Sequence, residues 1–242
     1  MLFEEKRVHR LVYALGLATG GAIGLLPNVS AAALTPTLDF GIIAPTTGSI
    51  SYAGGASPLL GSGIQVDNIV GLDTPLNAGT ESLCALCVLN FGTGNFVSHI
   101  GNVWTYSGGG SISIKGGVDF DPVALDGLEI ASGSTLLTGT FNTAQVFDLG
   151  SGAFQFRIAG ASFIDKKHAD LLAFYGLPIN ANYQGGMNIS FLGATNGGGG
   201  FTSSSVFSGD ITNQPLPVPL PAAFLLFLSG IGVILPGRMM SA

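Results

Sequence analysis

The chain has 242 residues, 47% of them apolar and only 9% charged, with 38 glycines and a formal net charge of −6. This apolar content excludes a disordered chain, which goes with low hydrophobicity and high charge. Once residues 1–33 and 214–242 are set aside, twelve acids face four bases, and a surface that negative repels phosphates and argues against nucleic-acid binding.

The first 33 residues read as a secretory signal peptide. Lys6, Arg7, His9 and Arg10 form a basic start, Leu11–Leu26 is an apolar run without charge, and Ala31, Ala32 and Ala33 supply the small residues of a cleavage site. Cleavage is expected after Ala31 or Ala33. Gly20, Gly21 and Gly24 interrupt the apolar run, which favours a removable segment over a permanent N-terminal anchor.

Residues 34–213 read as a mainly β extracellular domain. Gly48–Gly55, Gly63–Gly71, Asn102–Gly109 and Ser111–Gly117 are short alternating runs bounded by turn residues, the pattern of half-buried strands. The clearest hairpin is Gly139–Ile164, with an apolar face of Phe141, Val146, Phe154, Phe156 and Ile158 and a turn at Leu149–Gly152. Strands at this spacing predict an antiparallel β-sandwich or jelly roll. One short helix is expected across Asp165–Pro178, with Asp165 as N-cap, Gly176 as stop signal and Ala169, Leu172 and Phe174 covering a sheet edge or an open end. Asn196–Gly200 reads as a loop, Phe201–Thr212 as the last strand, and Asn213–Pro219 as an extended Pro-rich stalk, with the linker proper at 214–219.

Candidate chemistry within this body is sparse. Cys84 and Cys87 are the only cysteines, and export points to a local disulfide, with a redox or metal role as the alternative. Asp119, Asp121, Asp126 and Glu129 form the densest acidic group; they read as solvated turn carboxylates or as oxygen ligands for Ca²⁺, although their spacing is not an EF-hand. Trp104 and Tyr106 lie two apart and share a strand face, as core residues or as a platform for sugar rings. His99 stands near a strand end without a placed partner, and His168 sits on the exposed lysine-rich turn of the helix and reads as solvated. No G-x-S-x-G elbow, Walker loop or H-E-x-x-H occurs, so no enzyme is expected.

The C-terminal segment, 218–242, carries a second address. Leu220–Leu235 is free of charge and would reach about 24 Å as a helix, a marginal span for a bilayer core of about 30 Å, and Pro236 ends it. The run Val218-Pro219-Leu220-Pro221-Ala222, followed by this hydrophobic helix and Arg238, resembles the VPLPA variant of the PEP-CTERM sorting signal. That resemblance implies an exported bacterial protein held transiently in the inner membrane. It also implies recognition by an exosortase, a membrane-embedded cysteine protease-transpeptidase, and association with exopolysaccharide or biofilm. A single Arg stands where the family usually has a basic cluster, and Leu220 replaces the glutamate of the commoner form. The rival expectation is a secreted carbohydrate-binding or carbohydrate-active protein that uses Asp119, Asp121 and Asp126 beside Trp104 or Tyr106.

Overall fold

The computed structural model of the protein describes residues 35–121, 127–150 and 155–216. The expected signal segment and hydrophobic C-terminal helix lie outside these residues. In chain order the elements are β1 (Thr37–Ile42), β2 (Ser49–Tyr52), β3 (Pro58–Leu72), β4 (Glu81–Ile100), β5 (Val103–Tyr106), β6 (Gly109–Asp119), β7 (Ile130–Asp148), β8 (Gln155–Lys167), α1 (Ala169–Phe174), β9 (Tyr183–Thr195) and β10 (Phe201–Pro215).

All ten strands belong to one antiparallel sheet. β1 and β2 pair with the same two neighbours, β3 and β10, at different heights, so they are two halves of one stave, interrupted at residues 43–48 around the cis Ala44–Pro45 bond. β5 and β6 likewise share the gap between β4 and β7. The ten strands therefore make about eight staves in chain order, and β10 returns to pair with β1 and β2, which closes the meander into a barrel. The expected sandwich or jelly roll would have divided the strands between two sheets. Turn spacing reports how long strands are and not which strands close the sheet, so it pointed to the wrong β architecture.

The period-2 alternation of each run decides which residues enter the barrel. In β1 Leu38, Phe40 and Ile42 are buried and the intervening residues are not; β9 alternates in the same way from Tyr183 to Phe191. An eight-staved interior is just wide enough for side chains to fill. Two large rings are accommodated by glycines opposite them. Phe91 of β4 lies over Gly61 of β3, and Phe163 of β8 over Gly185 of β9, where any Cβ would overlap the ring. Phe91, Phe141 and Phe163 then form an edge-to-face chain across the interior, with centroids 6.0 and 5.7 Å apart.

The helix is shorter than expected and begins later. β8 runs through Asp165 to Lys167, so His168 caps α1: its Nδ1 accepts a hydrogen bond from the Asp170 N–H at 3.3 Å, a partner the expectation of a solvated histidine did not provide. Gly176, with φ +69°, ends the helix as expected. Leu171 and Leu172 are buried, whereas Ala169 is exposed and Phe174 only half-buried, stacked on Phe120 at 4.2 Å. Tyr175 ties this segment to the β3–β4 connection: its hydroxyl is 3.0 Å from both Ser82 Oγ and the Ile69 carbonyl, and Leu76 N–H donates to the Tyr175 carbonyl. The helix thus closes one end of the barrel.

Candidate functional site

The barrel has two distinct ends. The terminal end, where β1 begins and β10 finishes, carries the β3–β4, β6–β7 and β8–β9 connections with α1; the far end carries β2–β3, β4–β5, β7–β8 and β9–β10.

The far end is aromatic, and its rings face inward. Trp104 and Tyr106 do share a face of β5, but Trp104 is only 6% exposed and Tyr106 is fully buried. Tyr52 contacts Phe96, Tyr106 and Phe201 at 5.3–5.7 Å, and Trp104 meets Phe201 at 5.6 Å. His99 stacks on Trp104 at 3.9 Å and covers its outer face. Of the two readings of Trp104 and Tyr106, core residues or sugar platform, the burial matches the first: these rings are spent on the core. Burial pushes the Tyr106 hydroxyl well above its usual range.

The acidic group sits at the opposite, terminal end. Asp119 closes β6 and its Oδ1 accepts from the Asp121 N–H at 3.0 Å; Glu129 Oε2 accepts from the Phe120 N–H at 2.6 Å. Asp126 lies outside the described residues. These carboxylates hold the β6–β7 connection and are not brought beside Trp104 or Tyr106, so the expected cleft of acids and aromatics is not assembled. Among the described residues no three His, Cys, Asp or Glu side chains group as a metal site.

Cys84 and Cys87 are joined by a disulfide that clips a bulge of β4. Leu83 pairs with Asn68 and Cys87 with Val66, so β4 carries two more residues than β3 across this interval. Leu86, at the apex with φ +54°, is 84% exposed. Gly116 makes room for Cys87 on the other side, since a Cβ there would meet the sulfur.

The least expected group is a buried ion pair near the terminal end. Asp165 and Lys167 alternate along β8 with Phe163 and so point inward; Lys167 Nζ donates to Asp165 Oδ1, and both side chains are fully buried. Lys167 Nζ also lies 4.1 Å from the centre of the Tyr183 ring. Among the described residues the remaining carboxylate oxygen, Asp165 Oδ2, finds no hydrogen-bond partner, nor does Asn213 Oδ1 on β10. Burial pushes Asp165 up to about 6 against the pull of Lys167, and pushes Lys167 down to about 8 against the pull of Asp165. Tyr183 is pushed up to about 12 by burial and by the Asp165 charge. Sequence reading missed this pair because Asp165 was assigned to a helix cap; the D-K-K spacing on a continuing strand is the signal that would have found it.

The last strand also differs from expectation. β10 continues through Pro215, with Asn213, Gln214 and Pro215 paired to Gly185, Gln184 and Tyr183, and Leu216 N–H donates to the Asn182 carbonyl at 3.0 Å. The expected stalk from Asn213 is therefore sheet as far as Pro215. Pairing pays for the ladder here because β10 is the stave that closes the barrel, with Leu38 on its other side at Asn213. The expected signal-cleavage residues Ala31 and Ala33 and the expected sorting motif Val218, Pro219, Leu220, Pro221 and Ala222 lie outside the described residues. Among the described residues no helix is long and apolar enough to cross a membrane. Comparison of the chain with family models, with curated proteins and with solved structures returns no match.

Proposed function

We propose that this chain is an exported, non-enzymatic surface or extracellular-matrix protein. The signal segment directs export, the C-terminal apolar run arrests the chain in the inner membrane, and an exosortase-like enzyme acts at Val218–Ala222. The barrel is then displayed in an exopolysaccharide-rich envelope or biofilm. The supporting observation is the way the sheet closes. β1 begins at Thr37 and β10 ends at Pro215 on paired neighbours, so removing residues 1–33 and everything beyond Val218 takes no strand from the barrel. Every described strand lies between the two expected addresses.

A chain truncated after Leu216 tests this reading. It keeps the signal and the whole sheet, and it is expected to pass into the medium, whereas the full chain stays with the envelope. Envelope association unchanged by the truncation would remove the tail from the account.

A further inference from the structure

On the outer face of the barrel, near the terminal end, a shallow groove of about 350 Å³ crosses β8, β9 and β10. Its centre is Gly186, which pairs with Ser162 on one side and Thr212 on the other; Gln184 and Gln214, paired with each other, form the next rung. Outward side chains on alternate strands stand roughly 10 Å apart, so the missing side chain at Gly186 leaves a gap between the two hydroxyls with two amides along its edge.

The polar groups of this groove are unspent. Some polar neighbours elsewhere on the outer face satisfy each other, Asn68 donating to Glu81 at 2.6 Å, Gln65 to Asp67 at 2.7 Å and Asn188 to Asp210 at 3.3 Å, while others, such as the paired Ser113 and Thr138, do not. Among the described residues, the side chains of Ser162, Gln184, Thr212 and Gln214 bond to no other protein group. Each is both donor and acceptor, and no charged residue lines the groove. The next residue in the central row, beyond Thr212, is Asp39, with Asp210 close enough to raise its carboxyl further after burial has already raised it. Carboxylates at that margin disfavour an anionic ligand.

We infer that the groove over Gly186 binds a neutral, hydroxyl-rich chain, that is, a neutral polysaccharide. Paired amides and hydroxyls match ligand hydroxyls, which also donate and accept, and the volume is at the small end for ligand sites, enough for a short stretch of a longer polymer. This deepens the matrix reading by naming the surface that would meet the polysaccharide, and it stands or falls on its own measurement.

Gly186→Trp is the direct test, because the nearest atoms to a Cβ at that position are 3.6 and 3.8 Å away and the groove has room for the ring. Retention of the full chain, in mild detergent, is measured on immobilised dextran, on a neutral β-glucan and on alginate as the polyanionic comparison. The unmodified chain is expected to be retained by a neutral glucan and not by alginate. Gly186→Trp is expected to weaken that retention about tenfold or more, with Gln184→Ala plus Gln214→Ala weakening it in the same direction at unchanged thermal stability. No retention on either neutral glucan, stronger retention on alginate, or retention that both variants leave intact would overturn the inference. Envelope fractionation of the truncated chain reads a different quantity, so the sorting account can fail while this one holds, and the reverse.

Discussion

Lys167→Met isolates the buried ion pair at the terminal end of the barrel. The substitution keeps an unbranched side chain near the Tyr183 ring but removes the cation, and it leaves Asp165 fully buried with one oxygen newly orphaned and the other already without a partner. Breaking a buried pair from one side costs about 3–5 kcal/mol, a large share of the 5–15 kcal/mol that usually separates folded from unfolded chains. In the unmodified chain Asp165 holds its proton up to about pH 6 when folded, whereas an unfolded aspartate releases it near 3.9. This group therefore favours the fold most at low pH, and its contribution weakens as pH rises through roughly 4 to 6. Without Lys167 the carboxyl is pushed up further, so the loss caused by Lys167→Met is expected to shrink by about 1–2 kcal/mol between pH 7.5 and pH 5. Urea unfolding followed by the fluorescence of Trp104, the single tryptophan, measures both effects. Asp165→Leu with Lys167→Met, which removes both charges, is expected to recover most of the loss. A cost below about 1 kcal/mol at pH 7.5, or a cost independent of pH, would refute the placement of this pair in a dry interior.

Two adjacent glycines are expected to behave oppositely: Gly185→Ala drives a methyl into the Phe163 ring and lowers stability by about 1–3 kcal/mol, while Gly186→Ala, whose methyl would meet only ordinary contacts at 3.6 and 3.8 Å, stays within about 0.5 kcal/mol, both read by urea midpoints. Equal effects would mean that the β9 register is wrong. Replacing Cys84 and Cys87 by serine is expected to lower stability by about 2 kcal/mol or less, because the clip closes a very short loop and leaves the ladder on either side intact. A larger loss in the same unfolding measurement would give the disulfide a global role. Leu216 makes the last barrel hydrogen bond described, and only Pro217 separates it from Val218 in the sequence, a tether whose covalent reach is at most about 7 Å before the proposed motif. A six-residue Gly-Ser insert after Leu216 is expected to speed tail removal several-fold in a pulse-chase; an unchanged rate would show that the short tether does not limit access.

Much of the fold was legible in alternation. Residues such as Phe141, Val146 and Ile158 occupy inward positions because period-2 apolar placement carries that information locally. Closure was not legible, because it depends on Leu38 meeting Asn213 across 175 residues, and no local pattern records such a pair. The boundary between β8 and α1 was misplaced for a similar reason. Asp165 is an ordinary N-cap by propensity, and only the interior partner Lys167 and the paired strands keep it extended. The same limit applied to Trp104 and Tyr106: sequence put them on one face, and the topology alone decides that this face is the inside. The groove at Gly186 left no motif at all, since its members come from three strands and are common surface residues taken singly.

The central claim is that both ends of the chain are addresses removed from a complete barrel. Intact-mass measurement with terminal sequencing of the chain recovered from the envelope and medium of its native host tests this most directly. The account expects a mature N-terminus just after Ala31 or Ala33 and a C-terminus within Val218–Ala222. A recovered chain that still runs to Ala242 would contradict it.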